Sequence, residues 1–273
     1  MSCDVSVIIP TYNSSSTLRR ALDSVFGQSV LPREIIIVDD GSDDWDASRL
    51  IAGSYHDIVP IIFIRLEENK GPSTARNFGL SIARSRYIAF LDADDIWFKN
   101  KLMIQYNFMN LHNIDFSMHS YIINSNHLIS DVKSECNINS INSSSLSVWD
   151  LIFRDNDHAT PSVMVAKEKM VIFDTSLWRS EDWKCWMEVL SMPDCRGGYI
   201  RHALAGGFKP GIGHSGLTQD VTAMHASRMS AFIGLIHERK ISCIQFIIGI
   251  CIETIKYPFR ILRITLNKYV KTL

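Results

Sequence analysis

Short apolar strands alternate with amphipathic helices over the first hundred residues of this 273-residue chain. Runs rich in β-branched residues predict four buried strands, at Val5–Ile9, Glu34–Val38, Ile61–Leu66 and Tyr87–Leu91. Segments with apolar residues at helical spacing separate these runs. Strands that are apolar throughout are typical of a sheet covered on both faces. The pattern therefore predicts an α/β fold with a Rossmann-like, mostly parallel sheet and helices on both sides.

Polar or acidic residues stand at the end of three of these strands. The first ends in Thr11-Tyr12-Asn13, the second in Asp39-Asp40, and the fourth in Asp92 to Asp95. Because ligands of parallel sheets bind outside the carboxyl ends of the strands, we expect these residues to line one crevice.

The acidic strand ends each allow two interpretations. Asp92 and Asp94 could hold a hard divalent cation such as Mg²⁺ or Mn²⁺, although acidic loops are commonly only solvated. Asp39-Asp40 with Gly41 could be a tight turn, or a carboxylate that accepts a hydrogen bond from a base or a ribose.

Charged residues also stand near the starts of two predicted helices. Arg76 could brace a carboxylate or a diphosphate, and the alternative is a surface arginine. Glu181 and Asp182 begin a helix flanked by Trp178, Trp183 and Trp186. Their negative charges could stabilise the helix through its dipole, or one of them could be a general base in an aromatic-lined pocket.

Composition excludes several classes of protein. Hydrophobic residues make up 46% and charged residues 21% of the chain, and the net charge is −1, which argues against disorder and against a nucleic-acid partner. Six cysteines without a C-x-x-C pair indicate neither a zinc site nor a disulfide framework. With neither a signal peptide nor an apolar run of membrane-spanning length, we expect a cytoplasmic protein.

The last third of the chain has a different character. From Glu238 to the end there are seven Lys or Arg and two Glu, a net charge of +5 that leaves −6 for the rest. We expect residues 1–205 to form the α/β domain and residues 206–273 a helical segment. Basic amphipathic helices can lie on an anionic membrane surface. The alternatives are a subdomain packed on the catalytic part and a contact in a homo-oligomer.

Five segments in order resemble glycosyltransferase family 2, the inverting sugar transferases with the GT-A fold. They are VSVIIPTYNSSSTLRRALDSVFGQS, EIIIVDDGSDD, NKGPSTARNFGL, YIAFLDADDIW and RSEDWKCWMEVL. A later segment, GGFKPGIGHSGLTQD, resembles bacterial members that build lipopolysaccharide or capsule, with Thr218 in place of an expected Ser.

The resemblance implies a role for each matching residue. The nucleotide-sugar contacts would come from Pro10, Thr11, Tyr12, Asp39, Asp40, Arg76, Asp92, Ala93 and Asp94. Tyr12 would stack on the base, Asp40 would contact the uracil ring, and Arg76 would brace the pocket. Asp94 would be the direct ligand of Mg²⁺ or Mn²⁺, and Asp92 would face the sugar or the ribose. Asp182, preceded by Glu181, would be the catalytic base.

The implied activity is metal-dependent transfer of a hexosyl or N-acetylhexosaminyl group from a nucleotide donor, expected to be UDP-linked. The acceptor would be a saccharide or a lipid-linked sugar at the inner face of the cytoplasmic membrane, in lipopolysaccharide, O-antigen or capsule synthesis. Residues 155–165 and 178–186 would set donor choice.

One alternative is a sugar-1-phosphate nucleotidyltransferase, which PTYNSSS in place of a glycine-rich phosphate loop disfavours. Another is a membrane-associated scaffold that binds nucleotide sugar without turnover, which the complete set of Asp92, Asp94 and Asp182 disfavours.

Overall fold

The computed structural model describes residues 2–55, 58–123, 142–153, 159–208 and 220–270. The strands within these ranges are β1 (Ser2–Thr11), β2 (Leu31–Asp39), β3 (Ile61–Arg65), β4 (Tyr87–Phe90), β5 (Asp95–Trp97), β6 (Phe116–Ile123), β7 (Ser143–Leu146), β8 (Met164–Ala166) and β9 (Gly197–Gly207). The helices are α1 (Ser15–Phe26), α2 (Trp45–Gly53), α3 (Pro72–Ile82), α4 (Lys101–His112), α5 (Val148–Phe153), α6 (Glu181–Leu190), α7 (Val221–His237) and α8 (Cys243–Val270).

The described strands form one sheet in the order β3-β2-β1-β4-β8-β6-β9-β5, with β7 paired to β9. Its first four strands are parallel, as predicted. Alternate residues of β1 face opposite sides: Ile8 packs with Ala75 of α3, whereas Val7 and Ile9 pack with Leu18 of α1. Helices thus cover both faces of this half, and the predicted α/β class is confirmed.

The other half of the sheet is mixed rather than mostly parallel. Strand β8 runs antiparallel to both β4 and β6, and β5 and β7 run antiparallel to β9, while β6 and β9 are parallel. Strands β5 and β8 have three residues each. A hydrophobic pattern this short does not show whether a strand pairs parallel or antiparallel with its neighbours. The segment Ser143–Leu146, although it is rich in serine, forms β7.

Helix α6 is buried on nearly all sides and begins at the predicted residue. Trp186 is fully buried in the core against Phe90, Phe116 and Phe173. This packing fixes the axis of α6, so its first two residues, Glu181 and Asp182, are held in place by the core.

Helix α7 packs on α6, and α8 packs on α7 and α5. Phe232 of α7 lies edge-on to Trp183, at 4.9 Å between ring centroids. Strand β9 continues to Gly207, past the predicted division after residue 205, and that division stays a prediction. Across the ranges that the structure covers, no helix is long and apolar enough to cross a bilayer.

Candidate functional site

The polar ends of β1, β2 and β4 meet at one edge of the sheet, as the sequence predicts. Strand β1 lies between β2 and β4, and Thr11 pairs with Asp39 in register. The next residue, Asp40, donates its backbone N–H to the carbonyl of Thr11 at 2.8 Å. The three strand ends therefore form one continuous polar floor.

Asp39 and Asp40 hold the loops around this floor. Asp39 is fully buried, and its two carboxylate oxygens accept from the Ser42 N–H at 2.9 Å and from the Thr11 hydroxyl at 3.3 Å. Asp40 accepts from the N–H groups of Lys70 at 3.1 Å and Gly71 at 2.7 Å. The turn interpretation is thus visible in the structure, and the predicted nucleotide contacts of both residues stay predictions.

The pKa of Asp40 shows how closely the loop encloses this carboxylate. Burial raises that pKa, and the two backbone N–H groups partly offset the effect because they stabilise the ionised form. Gly41 adopts a φ of 75°, and a Cβ there would come within 2.8 Å of the Glu68 backbone. A glycine is therefore needed directly after Asp40.

Tyr12 stands exposed at the rim of the floor. About half of its surface, 47%, is accessible, whereas Pro10 is partly buried and Thr11 is buried. The following Asn13 has a φ of 48°, donates its N–H to Ser42 Oγ and accepts from the Asp43 N–H through Oδ1. These bonds hold the backbone directly after Tyr12, and the predicted stacking of its ring on a base stays a prediction.

Arg76 joins three elements in one buried ion network. Its guanidinium donates to Asp92 Oδ1 and to Glu181 Oε1, each at 2.9 Å, and the residue is only 5% exposed. Burial by itself would lower the pKa of Arg76, but Asp92, Glu181 and Asp182 raise it well above its usual value. Of the sequence interpretations of Arg76, the brace for carboxylates is the one visible here.

Glu181 is the buried member of the acidic pair at the start of α6. Burial and, to a smaller extent, the neighbouring charge of Asp182 raise its pKa to about 7, although Arg76 opposes both. A buried carboxyl with a pKa near neutrality is typical of functional sites.

Asp182 is partly exposed and held at both oxygens. Oδ1 accepts from the Trp183 N–H at 2.7 Å, and Oδ2 accepts from the Thr160 hydroxyl at 3.0 Å. Thr160 lies in a short 3₁₀ turn, Thr160–Ser162, and is buried. Sequence reasoning missed this residue because no spacing links it to a partner 22 positions away.

The predicted aromatic pocket around the acidic pair is wrong for two of its three members. Trp186 and Trp183 belong to the core, whereas Trp178 is about half exposed. Its ring lies 3.4 Å from where a Cβ of Gly71 would stand, on the loop that holds Asp40. Trp178 and Tyr12 are thus two exposed aromatic rings next to the loops that Asp40 and Ser42 hold.

The loop after β4 offers hard oxygen donors. Asp92 and Asp94 are partly exposed, and Ala93 between them is buried. The Asp94 carbonyl accepts from Arg20 at 2.9 Å, which helps to hold the loop. Within the described part of the chain, no three acidic, His or Cys side chains are grouped as a closed metal site. The two carboxylates suit Mg²⁺ or Mn²⁺ that takes its remaining ligands from a diphosphate and water.

Comparison with known proteins places this site in a family. The model of "Glycosyl transferase family 2" matches residues 6–169, which include the floor, Arg76 and the loop after β4. The fold is similar to that of S. aureus TarS in complex with UDP, with a TM-score of 0.64 over 86% of this chain and 66% of that one, at 20% identity.

Two curated relatives have names that describe surface polymers. The chain is 40% identical over 130 residues to the Escherichia coli UDP-Glc:alpha-D-GlcNAc-diphosphoundecaprenol beta-1,3-glucosyltransferase WfaP, covering 47% of this chain and 50% of that protein. It is 44% identical over 118 residues to the putative teichuronic acid biosynthesis glycosyltransferase TuaG of Bacillus subtilis, covering 43% and 46%. The chain thus spans half or less of the length of either relative. On the family match, which covers more than half of its residues, this chain belongs to glycosyl transferase family 2.

Proposed function

We propose that the chain transfers a sugar from a UDP donor to a lipid-linked saccharide in the synthesis of a bacterial surface polysaccharide, with inversion at the anomeric carbon. The observation that carries this proposal is the Asp92–Arg76–Glu181 network, which links the loop after β4 to the first turn of α6, where Asp182 stands. The named relatives support the choice of donor and acceptor, because WfaP uses UDP-Glc and a diphosphoundecaprenol-linked sugar according to its name.

Each residue of the site has a separate role in such a reaction. The exposed ring of Tyr12 stacks on the base, and the loop held by Asp40 closes around it. Asp182 accepts the proton of the acceptor hydroxyl while that oxygen attacks C1 of the donor sugar. The bond from C1 to the diphosphate breaks as the new bond forms on the opposite face. The nucleoside diphosphate leaves with the bonding pair, and the proton remains on Asp182.

Glu181 and Arg76 place Asp182 without contacting the reacting atoms. The ion pair between them anchors the first turn of α6 to α3, and the Thr160 hydroxyl orients the Asp182 carboxylate. Asp94 and Asp92 would hold Mg²⁺ or Mn²⁺, which when bound stabilises the negative charge of the leaving diphosphate.

The test is release of UDP from a panel of UDP-sugars in the presence of a diphosphoundecaprenol-linked N-acetylglucosamine acceptor. Wild type should release UDP only when both substrates and Mg²⁺ or Mn²⁺ are present, and EDTA should stop the release. Asp182→Asn should reduce turnover by about 100-fold or more, because it removes the base, while thermal stabilisation by UDP stays near wild type.

Asp194→Asn is the matched control, since Asp194 is exposed and pairs with Lys169 away from the site. It should keep wild-type turnover. Full turnover in Asp182→Asn would overturn the assignment of the base. Pyrophosphate production from UTP and a sugar phosphate would indicate a nucleotidyltransferase, and UDP-sugar binding without turnover would indicate a scaffold.

A further inference from the structure

The outward face of α8 is apolar along most of its described length. Its exposed side chains recur at intervals of three or four residues, which places them on one side of the helix: Ile244, Ile247, Cys251, Ile255, Pro258, Phe259 and Leu262. We call this set the apolar face of α8. Ile247 is 59% and Phe259 is 67% exposed. Contiguous apolar surfaces of this kind mark interaction sites.

Glu253, Lys256 and Arg260 are the charged residues of α8 whose side chains the structure describes, and they point the other way. Glu253 is buried, and the Arg260 guanidinium donates to its carboxylate. The Lys256 ammonium donates to the Phe153 carbonyl on α5 at 3.2 Å. A helix on the surface of a water-soluble domain normally turns its polar side outward. Packing against α5 and α7 therefore forces the apolar side of α8 into solvent.

The charge of this region separates two candidate occupants of the face. The chain from Glu238 onward carries a net +5, through residues that include Lys256, Arg260 and Arg263. A second copy of α8 on this face would bring two such basic segments together, and like charges repel. A bilayer that contains anionic lipid offers apolar chains to the face and negative headgroups to a C-terminal segment whose net charge is positive.

We propose that the apolar face of α8 docks this protein in the plane of an anionic bilayer. The helix lies in the interface with Ile247, Ile255 and Phe259 among the acyl chains. The proposal stands on α8 alone and goes beyond the proposed sugar transfer, so either can fail without the other.

The test is flotation of the full chain with lipid vesicles under reducing conditions. One set of vesicles contains phosphatidylcholine alone, and the other also contains roughly 30–40% phosphatidylglycerol, which makes its surface anionic. Wild type should float with the anionic vesicles and much less with the neutral ones. The triple variant Ile247→Gln, Ile255→Gln, Phe259→Gln should lose most of this binding, at least about tenfold, since it removes three of the apolar side chains that would enter the acyl region.

The matched control is Leu50→Gln, Leu111→Gln, Ile172→Gln, which removes three exposed apolar side chains of other surfaces. It should float like wild type. Equal flotation of the α8 triple and wild type would overturn the proposal. So would a dimer in solution that the α8 triple dissociates and that does not float. Circular dichroism and UDP release with a detergent-dispersed acceptor keep the result interpretable, because a folded and active α8 triple that fails to float has lost only the membrane contact.

Discussion

The edge of the sheet and the last helix depart from the usual distribution of side chains in opposite ways. At the edge, Arg76, Asp92 and Glu181 bring charge into the protein interior, where each charge is paired. On α8, Ile247 and Phe259 bring apolar surface into solvent, where nothing in the described ranges covers it. Neither arrangement is what folding alone favours. Binding of a nucleotide sugar at the edge and of a bilayer on α8, as proposed above, would account for both departures.

The largest effect is expected from breaking the buried network. Arg76→Met should lower the free energy of unfolding by about 3–5 kcal/mol, because it leaves buried Glu181 and partly exposed Asp92 without their shared partner. Urea denaturation measures the change. Arg33→Met is the control, because its pair with Asp4 is exposed and such pairs contribute at most about 1 kcal/mol. Equal losses in the two variants would contradict the role of burial.

The two sides of α8 should respond unequally to substitution. Gly249 lies against Phe232, and a Cβ would come within 2.3 Å of that ring. Gly249→Leu should lower the free energy of unfolding by about 1–3 kcal/mol through overpacking. Ile247→Gln on the apolar face should change it by less than about 0.5 kcal/mol in solution. Thermal denaturation without lipid compares them, and a large loss in Ile247→Gln would mean that another part of the chain covers this face.

The hydroxyl of Thr160 should matter for turnover more than for binding. Thr160→Val keeps the shape of the side chain but removes the donor to Asp182 Oδ2, so kcat should fall about tenfold, in line with the loss of one hydrogen bond to a charged group. KM for the donor should stay unchanged, and Thr160→Ser should restore kcat. A rise in KM with unchanged kcat would assign Thr160 to substrate binding instead.

A further effect is expected in the pH dependence of stability. The folded state raises the pKa of Glu181 to about 7 from an ordinary 4.5, so the unfolded chain loses this proton first as pH rises. The contribution of Glu181 to stability therefore falls between pH 4.5 and 7 and stays low above that. As the pH rises from about 5 to 8, the free energy of unfolding of Glu181→Gln should therefore fall by less than that of wild type.

Urea denaturation at several pH values measures this difference. Glu68→Gln is the control, since Glu68 is exposed beside Lys70. If the curves of wild type and Glu181→Gln run parallel over that range, the titration does not belong to Glu181.

Much of the polar floor at the edge of the sheet was predictable, because the sequence pattern that marks it is local. Four apolar runs mark β1 to β4, and turn-forming residues such as Asp39-Asp40-Gly41 mark where a strand ends. Parallel strands then bring their ends together by geometry alone. The direction of β8 was not predictable, because three residues carry no periodicity and the pairing depends on which strands are already neighbours.

The fold class, the acidic strand ends and the family could all be inferred from local sequence, since each depends on residues close together in the chain. Which groups meet follows instead from the packing of distant segments. Arg76 and Glu181 are 105 residues apart, and Thr160 reaches Asp182 across a separate turn. The same holds for α8, whose apolar residues occur on more than one side. Packing against α7 determined which of them remain exposed, because a helix pattern shows that a face exists but not which neighbour covers it.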